Sequence, residues 1–116
     1  MSNGNHPKPK IICLCGSSRF VDVMAVKSWE LEKEGNIALS LHLLPEWYDA
    51  MPDHQAEAEG VKDHMDELHK RKIDLADEIL ICNCQGYIGE STRSEIQYAI
   101  EHGKPVTYLE PIGDSK

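Results

Sequence analysis

Two short segments combine glycine, hydroxyl and arginine residues in a way that suits an anion. The first is Cys15-Gly16-Ser17-Ser18-Arg19, which directly follows the apolar run Ile11–Cys15. A glycine there lets the chain turn tightly, and the next amides point outward at a helix start beside two hydroxyls and a guanidinium. A phosphate or carboxylate fits that set. The spacing matches neither a P-loop nor a dinucleotide fingerprint. The alternative is local: Ser17 or Ser18 caps the helix and Arg19 is solvated. The second segment is Gly86-Tyr87-Ile88-Gly89-Glu90-Ser91-Thr92-Arg93-Ser94-Glu95. Here Arg93 is informative, because a cation in the first turn of a helix opposes the macrodipole unless an anion lies nearby.

Glu95 is the principal catalytic candidate. It lies beside Ile96 and one turn before Ala99, on the margin of a buried helix face, where a partly desolvated carboxylate can serve as nucleophile or general base. Thr92-x-x-Glu95 equally fits a capping box, in which Glu95 merely reaches back to a backbone amide. Both readings stay open at this level. His69 lies four residues after Met65 and four before Ile73, so it points inward, either as a core residue or as a proton donor. His64 is five residues from His69 and does not share its face. His42 sits on a strand face, and His54 and His102 carry no assigned role.

The four cysteines form two C-x-C pairs, Cys13/Cys15 and Cys82/Cys84, inside or beside apolar runs. Positions i and i+2 of a strand share a face and make poor disulfide partners. A four-thiolate zinc site requires the two pairs to meet, and zinc more often uses C-x2–4-C spacing. They read as buried small hydrophobes; no metal and no cofactor is expected.

The elements that must position these residues alternate. The apolar run Lys10–Cys15 predicts a strand covered on both faces. Phe20, Val23, Met24 and Leu31 predict a helix stopped by Gly35, and Ile37–Leu44 predicts a second strand. Pro45–Ala56, with Trp47, Tyr48 and Pro52, reads as a loop whose aromatics either lid a flat ligand or cap the core. A long helix is expected over Glu57–Ala76, a strand over Glu78–Asn83 and a turn over Gly86–Glu90. A helix over Thr92–His102 closed by Gly103 follows, then a strand over Pro105–Leu109. This β-α-β-α-β-α-β order predicts an α/β fold of three layers, with a parallel sheet of four to five strands and helices on both faces. Ligands in such sheets bind beyond the carboxyl ends of the strands, where both anion-suited segments fall.

The bulk numbers agree with one such domain. At 116 residues, roughly two-thirds of the unfolded surface can be buried. Residues 1–9 read as a flexible leader and 10–116 as a single domain. A net charge of −8 argues against a nucleic-acid partner, whose phosphates need clustered cations, but allows a single nucleotide. No apolar run approaches the roughly 20 residues of a membrane span, and a cytoplasmic protein is expected. A small sheet with exposed edges predicts a homodimer, with Trp29, Trp47 and Tyr48 available to its interface or to a shared pocket.

Taken in order, Cys15-Gly16-Ser17-Ser18-Arg19, Ile73-Asp74-Leu75-Ala76-Asp77, Ser94-Glu95-Ile96-Gln97-Tyr98-Ala99 and Gly103-Lys104-Pro105-Val106 resemble the nucleoside 2-deoxyribosyltransferase and nucleoside 5′-monophosphate N-glycosidase superfamily. The segments span most of residues 11–110 and look closest to a short branch of it. The resemblance implies a flavodoxin-like, Rossmann-like fold, usually dimeric, that cleaves the bond between a base and a (deoxy)ribose. It implies that Glu95 attacks C1′, and that Gly16, Ser17, Arg19, Ser91 and Arg93 hold a 5′-phosphate, with Ser18, Tyr87, Gly89 and Thr92 in the same two turns. Two aspartates of the family pattern fall at His69 and Gly89 here, and the C-terminal extension used by the transferases is missing. Hydrolysis of a nucleotide N-glycosidic bond is therefore the first expectation. Deoxyribosyl transfer between bases and nucleotide binding without turnover are the alternatives.

Overall fold

A computed structural model describes residues 8–42, 44–48 and 59–112. Most of the expected leader, Pro52 and His54 of the expected lid, and the first residues of the expected 57–76 helix lie outside the described residues. Strand β1 (Ile11–Cys15) leads through a short 3-10 turn (Ser18–Phe20) into helix α1 (Val21–Lys33). Strand β2 (Ile37–Leu39) and a 3-10 turn (Glu46–Tyr48) come next, then helix α2 (Lys62–Leu75) and strand β3 (Glu78–Ile81). A third 3-10 turn (Cys84–Gly86), helix α3 (Glu90–Glu101) and strand β4 (Val106–Tyr108) complete the order.

All strand pairs are parallel, in the order β2-β1-β3-β4. This is the flavodoxin-like arrangement, with its topological switch point between β1 and β3. Side chains of β1 alternate between two core layers. Ile12 and Leu14 pack with Met24 and Leu31 of α1, together with Leu80 and Cys82. Cys13 and Cys15 face the other way, into Ile73, Ala76, Ile79, Ile81 and Ala99 under α2 and α3. Coverage on both faces is why the strand reads as an unbroken apolar run. Among the described residues no helix is long and apolar enough to cross a membrane.

Most boundaries shift by a residue or more, including the last helix, which starts at Glu90 rather than Thr92, and the last strand, Val106–Tyr108 rather than Pro105–Leu109. Three other shifts have identifiable reasons. β2 stops at Leu39 rather than Leu44: the next carbonyl, that of Ser40, accepts from Lys72 Nζ at 2.6 Å instead of from a neighbouring strand. α2 begins at Lys62, because Gly60 just before it adopts φ +74°, which no right-handed helix can pass through. β3 ends at Ile81 because the Asn83 side chain takes over the pairing. Its Nδ2 donates to the Glu110 carbonyl at 3.0 Å and its Oδ1 accepts from the Glu110 amide at 2.9 Å. That clamp ties the end of β3 to the segment after β4.

The carboxyl ends of β1 and β3 are drawn together at Gly16. The Cys82 amide donates to the Cys15 carbonyl at 2.8 Å, and a Cβ on Gly16 would lie 3.2 Å from both the Cβ and the carbonyl oxygen of Cys82. Gly16→Ala should therefore destabilise the fold by about 1–2 kcal/mol in denaturant unfolding. Gly89→Ala, whose nearest neighbour is the movable Tyr87 hydroxyl, should change stability by less than about 0.5 kcal/mol. Equal effects at the two positions would contradict this packing.

Candidate functional site

Helical periodicity on one side and strand alternation on the other bring four side chains together under the switch point. β1 presents Cys13 and Cys15 on one face. α2 turns His69 inward one turn before Ile73, and α3 turns Thr92, Glu95 and Ala99 inward at i, i+3 and i+7. Glu95 is 6% exposed and His69 3%, and both cysteines are fully buried. His69 Nε2 lies 3.9 Å from Glu95 Oε1 and 3.5 Å from Cys13 Sγ.

The capping-box alternative for Glu95 does not form. α3 begins at Glu90 with Gly89 in the capping position and no side-chain cap. Thr92 is thus inside the first turn and buried, and Glu95 is a full turn too late to reach back to the helix entrance. Its carboxylate instead forms part of a cleft of about 280 Å³ lined also by Lys62, Asp66, Lys70, Glu90, Ser91 and Ser94. Lys62 bridges the two helices, with Nζ 2.9 Å from Asp66 Oδ2 and 3.1 Å from Ser91 Oγ.

Of the residues nominated from sequence, Glu95 and Ser91 line this cleft. His69 lies behind Glu95, not on the cleft wall. Ser17 Oγ accepts from the Arg19 amide at 3.2 Å, so it caps the turn that Ser18 opens. The Arg19 guanidinium stacks on the Tyr87 ring at 4.3 Å, and Phe20 meets the same ring edge-on at 5.9 Å. Gly89 lies under the same ring, so Arg19, Tyr87 and Gly89 join the turns after β1 and β3. Gly16, Ser17, Ser18, Arg19, Tyr87 and Gly89 do not line the cleft. Arg93 is exposed and does not line the cleft. Trp47 and Tyr48 are exposed, and the Tyr48 hydroxyl donates to Glu59 at 3.1 Å. Neither ring lines the cleft.

Sequence reasoning missed Lys62, Asp66 and Lys70, although their i, i+4, i+8 spacing marks one stripe of α2. It also missed that Cys13 and Cys15 join His69. The four-thiolate arrangement does not arise: Cys82 faces the opposite core layer from Cys13 and Cys15.

The electrostatics of the cluster are tightly linked. Burial raises the Glu95 carboxyl above its usual range, and the nearby imidazole opposes that shift. Burial alone lowers His69, but the hydrogen bond with Cys13 and the charges of Glu95 and Cys13 override it and raise the imidazole. A hydrogen bond from Cys15 is the main cause that brings the Cys13 thiol down to about 5, with His69 assisting, while Cys15 itself is pushed up.

No family model, no curated protein and no solved structure matches this chain. The fold and site define an α/β flavodoxin-like domain with a buried carboxylate–imidazole–thiol cluster at its switch point.

Because Cys15, Cys82 and Cys84 are all shifted upward, only Cys13 should ionise in acid. Thiolate absorbance of the native protein should titrate with a midpoint of about 5, and Cys15→Ala should move that midpoint up. The folded value lies below the unfolded 9.0, so the stability it contributes is complete above 9.0 and is lost as pH falls through about 5. Absence of any thiolate below neutral pH would rule this arrangement out.

Proposed function

We propose that this chain hydrolyses the N-glycosidic bond of a nucleoside 5′-monophosphate or related nucleotide, with Glu95 as nucleophile. The observation that carries the reading is the position of Glu95: a buried carboxylate on the cleft wall at the switch point, with an imidazole behind it. A volume of about 280 Å³ is near the lower edge of ligand pockets, about 300–1,000 Å³. It suits a pentose phosphate with the base at the mouth. Asp66, Glu90 and Ser94 offer acceptors to sugar hydroxyls. Ser91, at the positive start of α3, and the Lys62 ammonium that reaches it from α2 suit the phosphate.

In this mechanism a Glu95 oxygen bonds to C1′ as the C1′–N bond breaks, and the bonding pair leaves with the base, which takes a proton from solvent. Water then attacks C1′, gives a proton back to solvent, and releases the carboxylate. His69 acts on Glu95 and not on the base: as an imidazolium it keeps the carboxylate ionised and fixes its orientation. It is a positioning residue. The reading includes a homodimer, supported by Val23, Val26 and Trp29, which are exposed at three-residue spacing along α1.

Incubation with the common nucleotides, followed by chromatography, should reveal released base, and Glu95→Ala should slow release by on the order of 10³-fold or more. Release as fast as wild type from that variant would end the assignment. A second free base added to the mixture separates hydrolysis from transfer. Attack requires ionised Glu95, so the acid limb of the rate should lie above the ordinary 4.5. His69→Gln removes the cation that opposes this shift and should move the limb further up, lowering kcat with little change in KM. An unmoved limb would deny His69 that role.

A further inference from the structure

We propose that Cys13, Cys15 and His69, with Glu95 closing the fourth position, form a binding site for a thiophilic divalent cation, Zn²⁺ in particular. The ligand atoms of Cys13, Cys15 and His69 all lie within 4.8 Å of one another. A tetrahedral zinc with Zn–S of about 2.3 Å and Zn–N of about 2.0–2.1 Å sets its sulfur and nitrogen about 3.6 Å apart. The Cys13 Sγ–His69 Nε2 distance is 3.5 Å. The Glu95 carboxylate stands outside this close set, with Oε1 3.9 Å from Nε2, and its side chain must rotate inward to complete the fourth position.

Direction matters as much as distance. A proton relay through histidine uses its two ring nitrogens for two different partners. Here the thiol of Cys13 and the carboxylate of Glu95 both approach Nε2. Groups that converge on one atom's lone-pair side enclose a point between them, which is what a cation needs. Two thiolates and an imidazole select zinc-like ions over magnesium or calcium. The excess negative charge of such a site is offset by Lys72, whose charge acts on both Cys13 and His69.

The cation binds thiolates and a neutral imidazole, so its entry releases to the buffer the protons these ligands carry. Glu95 lies on the cleft wall, so the cleft is the entry path. The site does not depend on the hydrolase reading, but the two compete: a carboxylate bound to zinc is no longer a nucleophile.

The test is titration of the chelator-dialysed full chain with Co²⁺, followed by displacement with Zn²⁺. One Co²⁺ per chain should bind with the thiolate-to-cobalt charge-transfer band and visible bands of a tetrahedral site. Cys13→Ser and Cys15→Ser should each weaken binding by at least on the order of 100-fold, while Cys82→Ser, on the opposite face of the sheet, should bind as wild type. The wild-type spectrum decides the matter even where a variant fails to fold. No charge-transfer band in the wild type, or its equal loss in Cys82→Ser, would overturn the site.

Discussion

The structure turns on a carboxylate held inside the domain. Glu95 and His69 face each other at 3.9 Å with almost no access to water. Coulomb's law gives such a pair about 4 kcal/mol at an effective permittivity of about 20, while withdrawing each ion from water costs several kcal/mol. Apolar side chains of similar size would hold α2 against α3 at least as well. The pair is therefore a poor stabilising device, and this is one ground for the chemical role proposed for Glu95. Its surroundings reduce the cost: a hydrogen bond from Cys15 favours the carboxylate, and the imidazolium donates to the Cys13 thiolate.

The parallel sheet supplies the constraint that makes this arrangement possible. β1 lies centrally, so its inward thiols sit directly beneath two helices that arrive from different crossovers. Both helices place their inward polar residue near the same end of the sheet. Gly16 permits the close approach of β1 and β3, and the Asn83–Glu110 exchange fixes the far side. Around the buried cluster, Lys62 ties α2 to the start of α3 and sets the width of the cleft.

Much of this was legible in the sequence because the relevant signals are local. Unbroken apolar runs identified the covered strands, and inward spacing identified His69 and Glu95. Element boundaries failed where a side chain replaced backbone pairing, as Asn83 does after β3 and Lys72 does at Ser40. Such substitutions depend on residues about 30 positions away and leave no local trace. The Thr92–Glu95 ambiguity was likewise local in appearance but was settled by where α3 begins. The meeting of Cys13 and Cys15 with His69 depended on sheet order, which places α2 over β1. Arg93 shows the opposite limit: its position near a helix start was legible, but the face on which it emerges was not.

The pairing of Glu95 with His69 can be measured without knowing any substrate. An NMR titration of the His69 ring should show an imidazole that holds its proton above the ordinary 6.5. In Glu95→Gln the same ring should release it at lower pH, because a neutral amide no longer supports the imidazolium. A His69 titration unchanged by that substitution would contradict the account at its centre.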